Sequence, residues 1–229
     1  MEEEKNSEVT LHAPSLSSFI FDSYMSTSFI LENLSSLITA DIEIHINRED
    51  QMPSSYSAIR EEKKEFYAQR FMRFFRGVHR VKVLKLRCSF IKALGGSPHI
   101  LDTQLLKFYN LRCLELWTYL SRDCLYSIFY VLKISPNIES VSLQILPVQN
   151  YDKPPVYPFC DEVKINPENI GDYWDAGLSL PCMMCHLKYV KIEGLCGCVN
   201  ELKFLEILLK HSTVLEKVVL TRYSAEQAI

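Results

Sequence analysis

The chain has 229 residues, 48% hydrophobic and 23% charged, so it can bury a sizeable core as one domain or two small ones. Its formal net charge of -3 provides no basic surface for nucleic acid, which is not expected as a partner. The acidic start MEEEKNSEV is not a secretory signal, and no apolar run approaches the roughly 18 residues of a membrane span. We therefore expect a cytoplasmic or nuclear protein without a membrane partner, whose cysteines are reduced thiols.

A six-residue pattern of the form apolar-x-x-apolar-x-apolar recurs along the chain. Its last two apolar residues lie on the same side of a strand because they are two positions apart, and the first packs the turn before that strand. Two loose copies occupy residues 16–21 and 37–42, and five clear copies occupy residues 81–86, 111–116, 138–143, 187–192 and 215–220. The copies that begin at residues 81, 111 and 138 lie 30 and 27 residues apart. Leucine-rich repeats have similar periods, of about 20 to 29 residues.

Between these copies the sequence contains polar segments, which predict loops, and segments with apolar residues at helical spacing, which predict helices. Residues 47–58 predict a polar loop, and Pro136 ends the second of three predicted helices. The helix at residues 61–76 has an apolar face of Tyr67, Phe71, Phe74 and Phe75. The next has a stripe of Leu125, Ile128, Phe129 and Leu132, and the last has a stripe of Leu202, Leu205, Leu208 and Leu209. Asn200 is the predicted N-cap of the last helix, and Lys210 and His211 suit its C-terminal end.

The predicted fold is therefore α/β: an irregular leucine-rich-repeat solenoid with a parallel sheet on one face and helical returns. One repeat cannot bury its own apolar side, but stacked repeats can. Five prolines within residues 147–170 exclude a helix there. We predict repeats over residues 1–146, a proline-rich loop or linker over 147–164, and a unit that continues the solenoid over 165–229.

The C-terminal part resembles a known plant module. The run DYWD at residues 172–175 precedes Pro181-Cys182, and HLKYVKIEGLCG, NELKFLEILLKHS and TVLEKVVL follow in order. These segments resemble the FBD domain that ends many plant F-box/leucine-rich-repeat proteins, over about residues 165–221. Upstream, APSLSSFIFD and NLSSLITADIEI resemble the irregular repeats of the same family.

The resemblance implies a protein-recognition function. In that family the F-box recruits the adaptor of a cullin ubiquitin ligase and the repeats select substrates. This chain starts almost directly inside a repeat, so no F-box is expected within it, and adaptor binding would require one upstream. The resemblance thus implies the substrate-selecting arm of such a ligase. The alternative is a stand-alone regulatory binding module, or a truncated gene product without a ligase role.

The sequence offers few residues for chemistry. Cys182, Cys185, Cys196 and Cys198 are weak zinc candidates, because CxxC is a common half-site whereas CxC is not, and a predicted core strand separates the pairs. Buried apolar thiols are the favoured interpretation. No HExxH, P-loop or GxSxG motif occurs, so we expect no enzyme, no catalytic residue and no cofactor.

The most informative surface is the sheet face opposite the core, where the x positions of each strand lie. Solenoids bind partners through this face. The predicted protein-binding residues are Asp41, Glu43, Lys85, Arg87, Glu115, Trp117, Ser142, Gln144, Lys191 and Glu193. Trp117 could anchor a partner, since Trp is enriched in interface hot spots, or it could cover a neighbouring strand.

Overall fold

We describe residues 8–24, 28–45, 61–95, 106–146, 184–197 and 199–223 in a computed structural model. The strands are β1 (Glu8–His12), β2 (Ser18–Tyr24), β3 (Ser28–Glu32), β4 (Thr39–His45), β5 (Val83–Arg87), β6 (Cys113–Thr118), β7 (Ser140–Ile145), β8 (Tyr189–Leu195) and β9 (Lys217–Arg222). The helices are α1 (Glu61–Gly77), α2 (Cys88–Gly95), α3 (Arg122–Lys133) and α4 (Val199–His211). The predicted loops at 47–58 and 147–164 lie outside the described residues.

Seven strands form one parallel sheet whose spatial order follows the chain, β2-β4-β5-β6-β7-β8-β9. β1 and β3 form a second, two-stranded parallel sheet. The chain is therefore a mixed α/β protein, and the predicted parallel pairing of the five clear pattern copies is confirmed. The sequence pattern did not predict the second sheet, which packs beside α1.

In six of the seven pattern copies, the first apolar residue closes a tight backbone turn. Its N–H donates to the carbonyl three residues earlier, at 3.1 to 3.3 Å. The same bond recurs at Leu16, Leu37, Val81, Leu111, Ile138 and Leu187. Each strand of these units thus starts from the same local geometry, although the sequence between the units differs in length.

A second recurring contact joins each unit to the next. The carbonyl of Lys82 accepts from the N–H groups of both Arg112 and Cys113, at 2.9 and 3.0 Å. The same double acceptance occurs at the carbonyls of Ser17, Ile38, Arg112, Glu139 and Lys188. It fixes the register of neighbouring strands at their starts, so equivalent pattern residues lie side by side.

That register aligns the apolar residues in continuous rows. Leu84, Leu114, Val141 and Val190 are partners in adjacent strands and are fully buried. The helices cover this side of the sheet with a ring cluster, in which Phe75 lies 5.3 Å from Phe90 and 4.9 Å from Phe108 between centroids. The core is therefore a layer between the sheet and the helices.

The rows end at β9. Val218 and Leu220 occupy the same register as the buried Val190 and Ile192, but they are 37% and 46% exposed. Among the described residues no further strand pairs with β9, so the last pattern copy lacks the cover that buries the others.

Two predicted helices are confirmed, and the third is partly wrong. The predicted faces of α1 and α3 are buried. In α4, Leu202 and Leu209 are 60% and 47% exposed, whereas Glu201, Phe204 and Leu208 are buried. The inward face is set by Phe204, whose ring lies 5.6 Å from that of Phe129 in α3.

The start of α4 also differs from the prediction. Asn200 is not the N-cap, because the helix begins at Val199 and the Asn200 amide donates to the Leu120 carbonyl at 3.1 Å. The Glu201 carboxylate instead reaches back to the N–H groups of Cys196 and Gly197. Lys210 and His211 end the helix as predicted. The short helix α2 was not predicted.

Charge in the buried rows should prevent folding. Leu114→Asp or Val190→Asp would bury a carboxylate without a partner, at a cost of several kcal/mol. Circular dichroism and thermal melts should show loss of the folded state. The control is Ser142→Asp on the opposite side of the same sheet, which should change the melting temperature little. A soluble Leu114→Asp protein with unchanged melting temperature would contradict this arrangement of the core.

Gly194 should tolerate no side chain. Its φ of +83° suits glycine, it lies at the register shift of β8, and an added Cβ would lie 2.5 Å from the Ile145 carbonyl oxygen. Gly197 is the matched control, because its φ is +87° but nothing lies within 4 Å of an added Cβ. We expect Gly197→Ala to lower the free energy of unfolding by about 1–2 kcal/mol and Gly194→Ala to lower it further. Denaturant titration measures both, and equal losses would contradict the backbone clash.

Candidate protein-binding face

The side of the sheet opposite the helices carries two polar rows, which we call the binding face. In the first row Asp41, Lys85, Glu115, Ser142 and Lys191 are successive partners. In the second row Arg87, Trp117, Gln144 and Glu193 are successive partners. Glu43 lies two residues beyond Asp41 on β4, beside Arg87. The structure thus brings all the predicted face residues onto one surface, where they are half-buried.

Arg87 is the centre of the charged half of the binding face. Its Nε lies 3.7 Å from Asp41 Oδ1 and 3.8 Å from Glu43 Oε2, and its Cζ lies 4.5 Å from the centre of the Trp117 ring. The two carboxylates and the indole are therefore all close to the guanidinium, although Nε is beyond hydrogen-bond distance of both carboxylates. Arg87 and Trp117 are direct neighbours on β5 and β6, and the guanidinium lies over the indole ring.

Other charges of the binding face are paired along or between strands. Lys85 Nζ lies 3.0 Å from Glu115 Oε2, and Lys191 Nζ lies 2.7 Å from Glu193 Oε2. The hydrogen bond with Glu193 raises the pKa of Lys191 above its ordinary value, so Lys191 is charged at neutral pH. Ion pairs at the protein surface are screened by solvent and stabilise the fold little. Their main effect is to fix where each charge lies.

The middle of the binding face has a different character. Ser142 and Gln144 are half-buried neighbours of Glu115 and Trp117 on β7, and among the described residues no ion pair or hydrogen bond to their side chains is present. A hydroxyl and an amide both donate and accept hydrogen bonds. Together with the indole edge of Trp117, they give a neutral polar centre flanked by charged strands.

One cluster at the end of β2 and β4 was missed in the sequence. Asp22, Glu43 and His45 can place ligand atoms within 4.8 Å of one another, and His45 Nε2 lies 2.7 Å from Asp22 Oδ1. These are acceptable ligand types for zinc. However, Arg87 competes for Glu43, and a hydrogen bond between His45 and Asp22 accounts for the geometry. The sequence alone could not reveal this cluster, because it depends on the strand register that makes Asp22 the cross-strand partner of Glu43.

Of the four cysteines considered for zinc, Cys182 and Cys198 lie outside the described residues. Cys185 and Cys196 are exposed, which differs from the buried thiols favoured above. Partial desolvation, together with the nearby Glu201 carboxylate, raises the pKa of the Cys196 thiol, although Arg222 opposes this. Zinc binds thiolates, so this environment disfavours a metal at Cys196.

We expect the purified protein to contain no stoichiometric zinc bound by these cysteines. Elemental analysis of the wild type should give the same zinc content as Cys185→Ser and Cys196→Ser variants. His45→Ala is a control for the separate cluster on β4. Stoichiometric zinc that is lost when Cys182 and Cys198 are changed would overturn this expectation.

Comparison with known proteins agrees with this architecture. Residues 179–220 match the FBD domain family, within the segment of about 165–221 that the sequence indicated. An Arabidopsis thaliana protein described as an F-box/FBD/LRR-repeat protein is 24% identical over 218 residues, 93% of this chain and 40% of the relative. A second Arabidopsis protein with the same description is 29% identical over 148 residues, 64% of this chain and 29% of the relative.

The chain is thus an α/β protein with a parallel sheet and an FBD match at its C-terminal end. The matches confirm the resemblance to the plant F-box/FBD/leucine-rich-repeat family. The chain spans 40% and 29% of the lengths of these two relatives. No solved structure matches it significantly. Within the described residues, no helix is long and apolar enough to cross a membrane.

Proposed function

We propose that the chain is a leucine-rich-repeat solenoid that binds another protein through the binding face, and that it is not an enzyme. The observation that carries the proposal is the continuous pair of polar rows across the parallel strands, opposite the side whose apolar rows form the core. The recurring turns and the double carbonyl acceptance support a stack of equivalent repeats. The family names of the relatives are consistent with a protein-interaction role.

The charge pattern of the binding face favours a protein partner over a polyanion. Lys85, Arg87 and Lys191 are each paired with a carboxylate, so the rows present no basic stripe. A partner segment that carries both signs of charge can replace each of these ion pairs with one between itself and the binding face. The stacked Arg87 and Trp117 are residue types that dominate interface energies, and the ion pairs hold them in place before binding.

We propose two alternative biological roles for this binding. The first is substrate selection for a cullin-type ubiquitin ligase, which the family names F-box/FBD/LRR suggest for the relatives. The second is a regulatory binding module or truncated gene product without a ligase role. Both use the same binding face, so binding of the ligase adaptor is the measurement that separates them.

Reversing the charge at Arg87 and removing the Trp117 ring should weaken partner binding. We expect the Arg87→Glu/Trp117→Ala variant to lose at least about 10-fold in affinity, since hot-spot residues contribute about 2 kcal/mol or more. The partner would be captured from plant extract by the wild type, purified, and measured by calorimetry. Arg73→Glu is the control: Arg73 is 61% exposed on α1, away from the binding face.

Two results would count against the proposal. Unchanged affinity in a folded double variant would remove the binding face from the interaction. Equal loss in Arg73→Glu would indicate a non-specific charge effect. Binding of the cullin adaptor, measured by the same calorimetry, would support substrate selection for a ligase over the second proposal.

A further inference from the structure

We propose that Cys88 and Cys124 form a reversible disulfide, a site of oxidative modification that joins helices α2 and α3. The two thiols are free in this structure and belong to neither the binding face nor the zinc candidates. They are 36 positions apart in the chain (124 minus 88), one at the start of each of two consecutive helices.

The packing of the two helices places the cysteines opposite each other. Ser127 Oγ donates to the Ile91 carbonyl at 2.6 Å, in a buried contact between α3 and α2. Ser127 lies three residues after Cys124, and Ile91 lies three residues after Cys88. The two helices pack against each other. Since each cysteine precedes its residue of this contact by three positions, the two cysteines lie opposite each other one helical turn before the contact. A hydrogen bond between their side chains is present there.

The two thiols have different accessibility and different acidity. Cys88 is half-buried, whereas Cys124 is fully buried. The hydrogen bond from Cys124, with smaller contributions from Lys92 and Thr118, outweighs the effect of burial and lowers the pKa of Cys88 to about 7. The same hydrogen bond, with burial and the charge on Cys88, raises the pKa of Cys124 well above its ordinary value.

These properties assign one role to each thiol. Cys88 is the first residue of α2, where the helix dipole also favours a thiolate, and it is accessible enough to meet a small oxidant. Cys124 keeps its proton and is held within reach. An attacking thiolate next to a shielded resolving thiol is the arrangement that disulfide formation requires.

The chemistry balances with hydrogen peroxide as the oxidant. The Cys88 thiolate attacks one peroxide oxygen, the O–O bond breaks, and the departing hydroxide takes a proton to become water. Cys88 is then a sulfenic acid. The Cys124 sulfur attacks the Cys88 sulfur, the S–O bond breaks, and a second water leaves with the Cys124 proton. Two thiols and one peroxide thus give one disulfide and two waters, and a dithiol reductant restores the thiols.

The first test is the identity of the bond. The full chain is reduced, treated with hydrogen peroxide at neutral pH, blocked with N-ethylmaleimide and digested for mass spectrometry. We expect a peptide pair joined between Cys88 and Cys124 that dithiothreitol separates. In Cys124→Ser, Cys88 should stop at the sulfenic acid, which dimedone traps. Cys113→Ser is the matched control, because Cys113 is also half-buried but contacts Ser140 instead.

The second test uses the pH dependence of reactivity. Iodoacetamide alkylation of Cys88 should rise through a midpoint near pH 7, because its thiolate forms there. Cys196 is the internal comparison, since its raised pKa places its alkylation at higher pH. Oxidation should also raise the melting temperature by several degrees, because a bridge between the helices restricts the unfolded chain.

Three outcomes would overturn the proposal. Peroxide could leave Cys88 and Cys124 oxidised separately with no joined peptide. The joined peptide could appear equally in urea-unfolded protein, which would show that the fold does not direct it. Cys88 could be alkylated only at the same high pH as Cys196. None of these results bears on partner binding through the binding face.

Discussion

The constraint on which the structure depends is the double acceptance of backbone N–H groups by one carbonyl per unit. Each such carbonyl lies just before a strand and accepts from two N–H groups of the next unit, those of the residue before its strand and of the strand's first residue. A one-residue slip would break both bonds and turn every apolar residue of that strand to the polar face. The apolar rows, the binding face and the contacts between helices all follow from this register.

The sequence predicted the strands because their signal is local. Two apolar residues separated by one position define a strand side, and Leu84/Leu86 and Leu114/Leu116 are buried as that rule requires. The faces of α1 and α3 were predicted for the same reason. The buried face of α4 was predicted wrongly, because the helix has apolar residues on two faces. The sequence does not show that the face with Phe204 is the one that packs against Phe129. β1 and β3 were missed because neither carries the full six-residue pattern, and α2 was missed because eight residues show little helical periodicity.

Contacts between units were less predictable. The residues predicted for the face opposite the core lie on that face, since they alternate with core residues. Their pairing with one another depends on register across gaps of unequal length. Neither the stacking of Arg87 on Trp117 nor the meeting of Asp22 with His45 follows from spacing along the chain. The hydrogen-bonded pair of Cys88 and Cys124 belongs to the same group. The sequence showed eight cysteines and directed attention to the closely spaced ones, whereas the coupled pair is distant in the chain.

The repeated strand starts also bear on how such a chain can change over evolution. Thirty-seven residues, 46–82, separate β4 from β5 in sequence, yet the two strands are immediate neighbours in space. Because each unit is registered by the two N–H groups at the start of its own strand, the length of the segment that arrives there is not specified. Insertions and deletions between strands can therefore accumulate without displacing the sheet. Ancestral copies could lengthen or shorten their connections independently while the spacing of exposed side chains stayed constant.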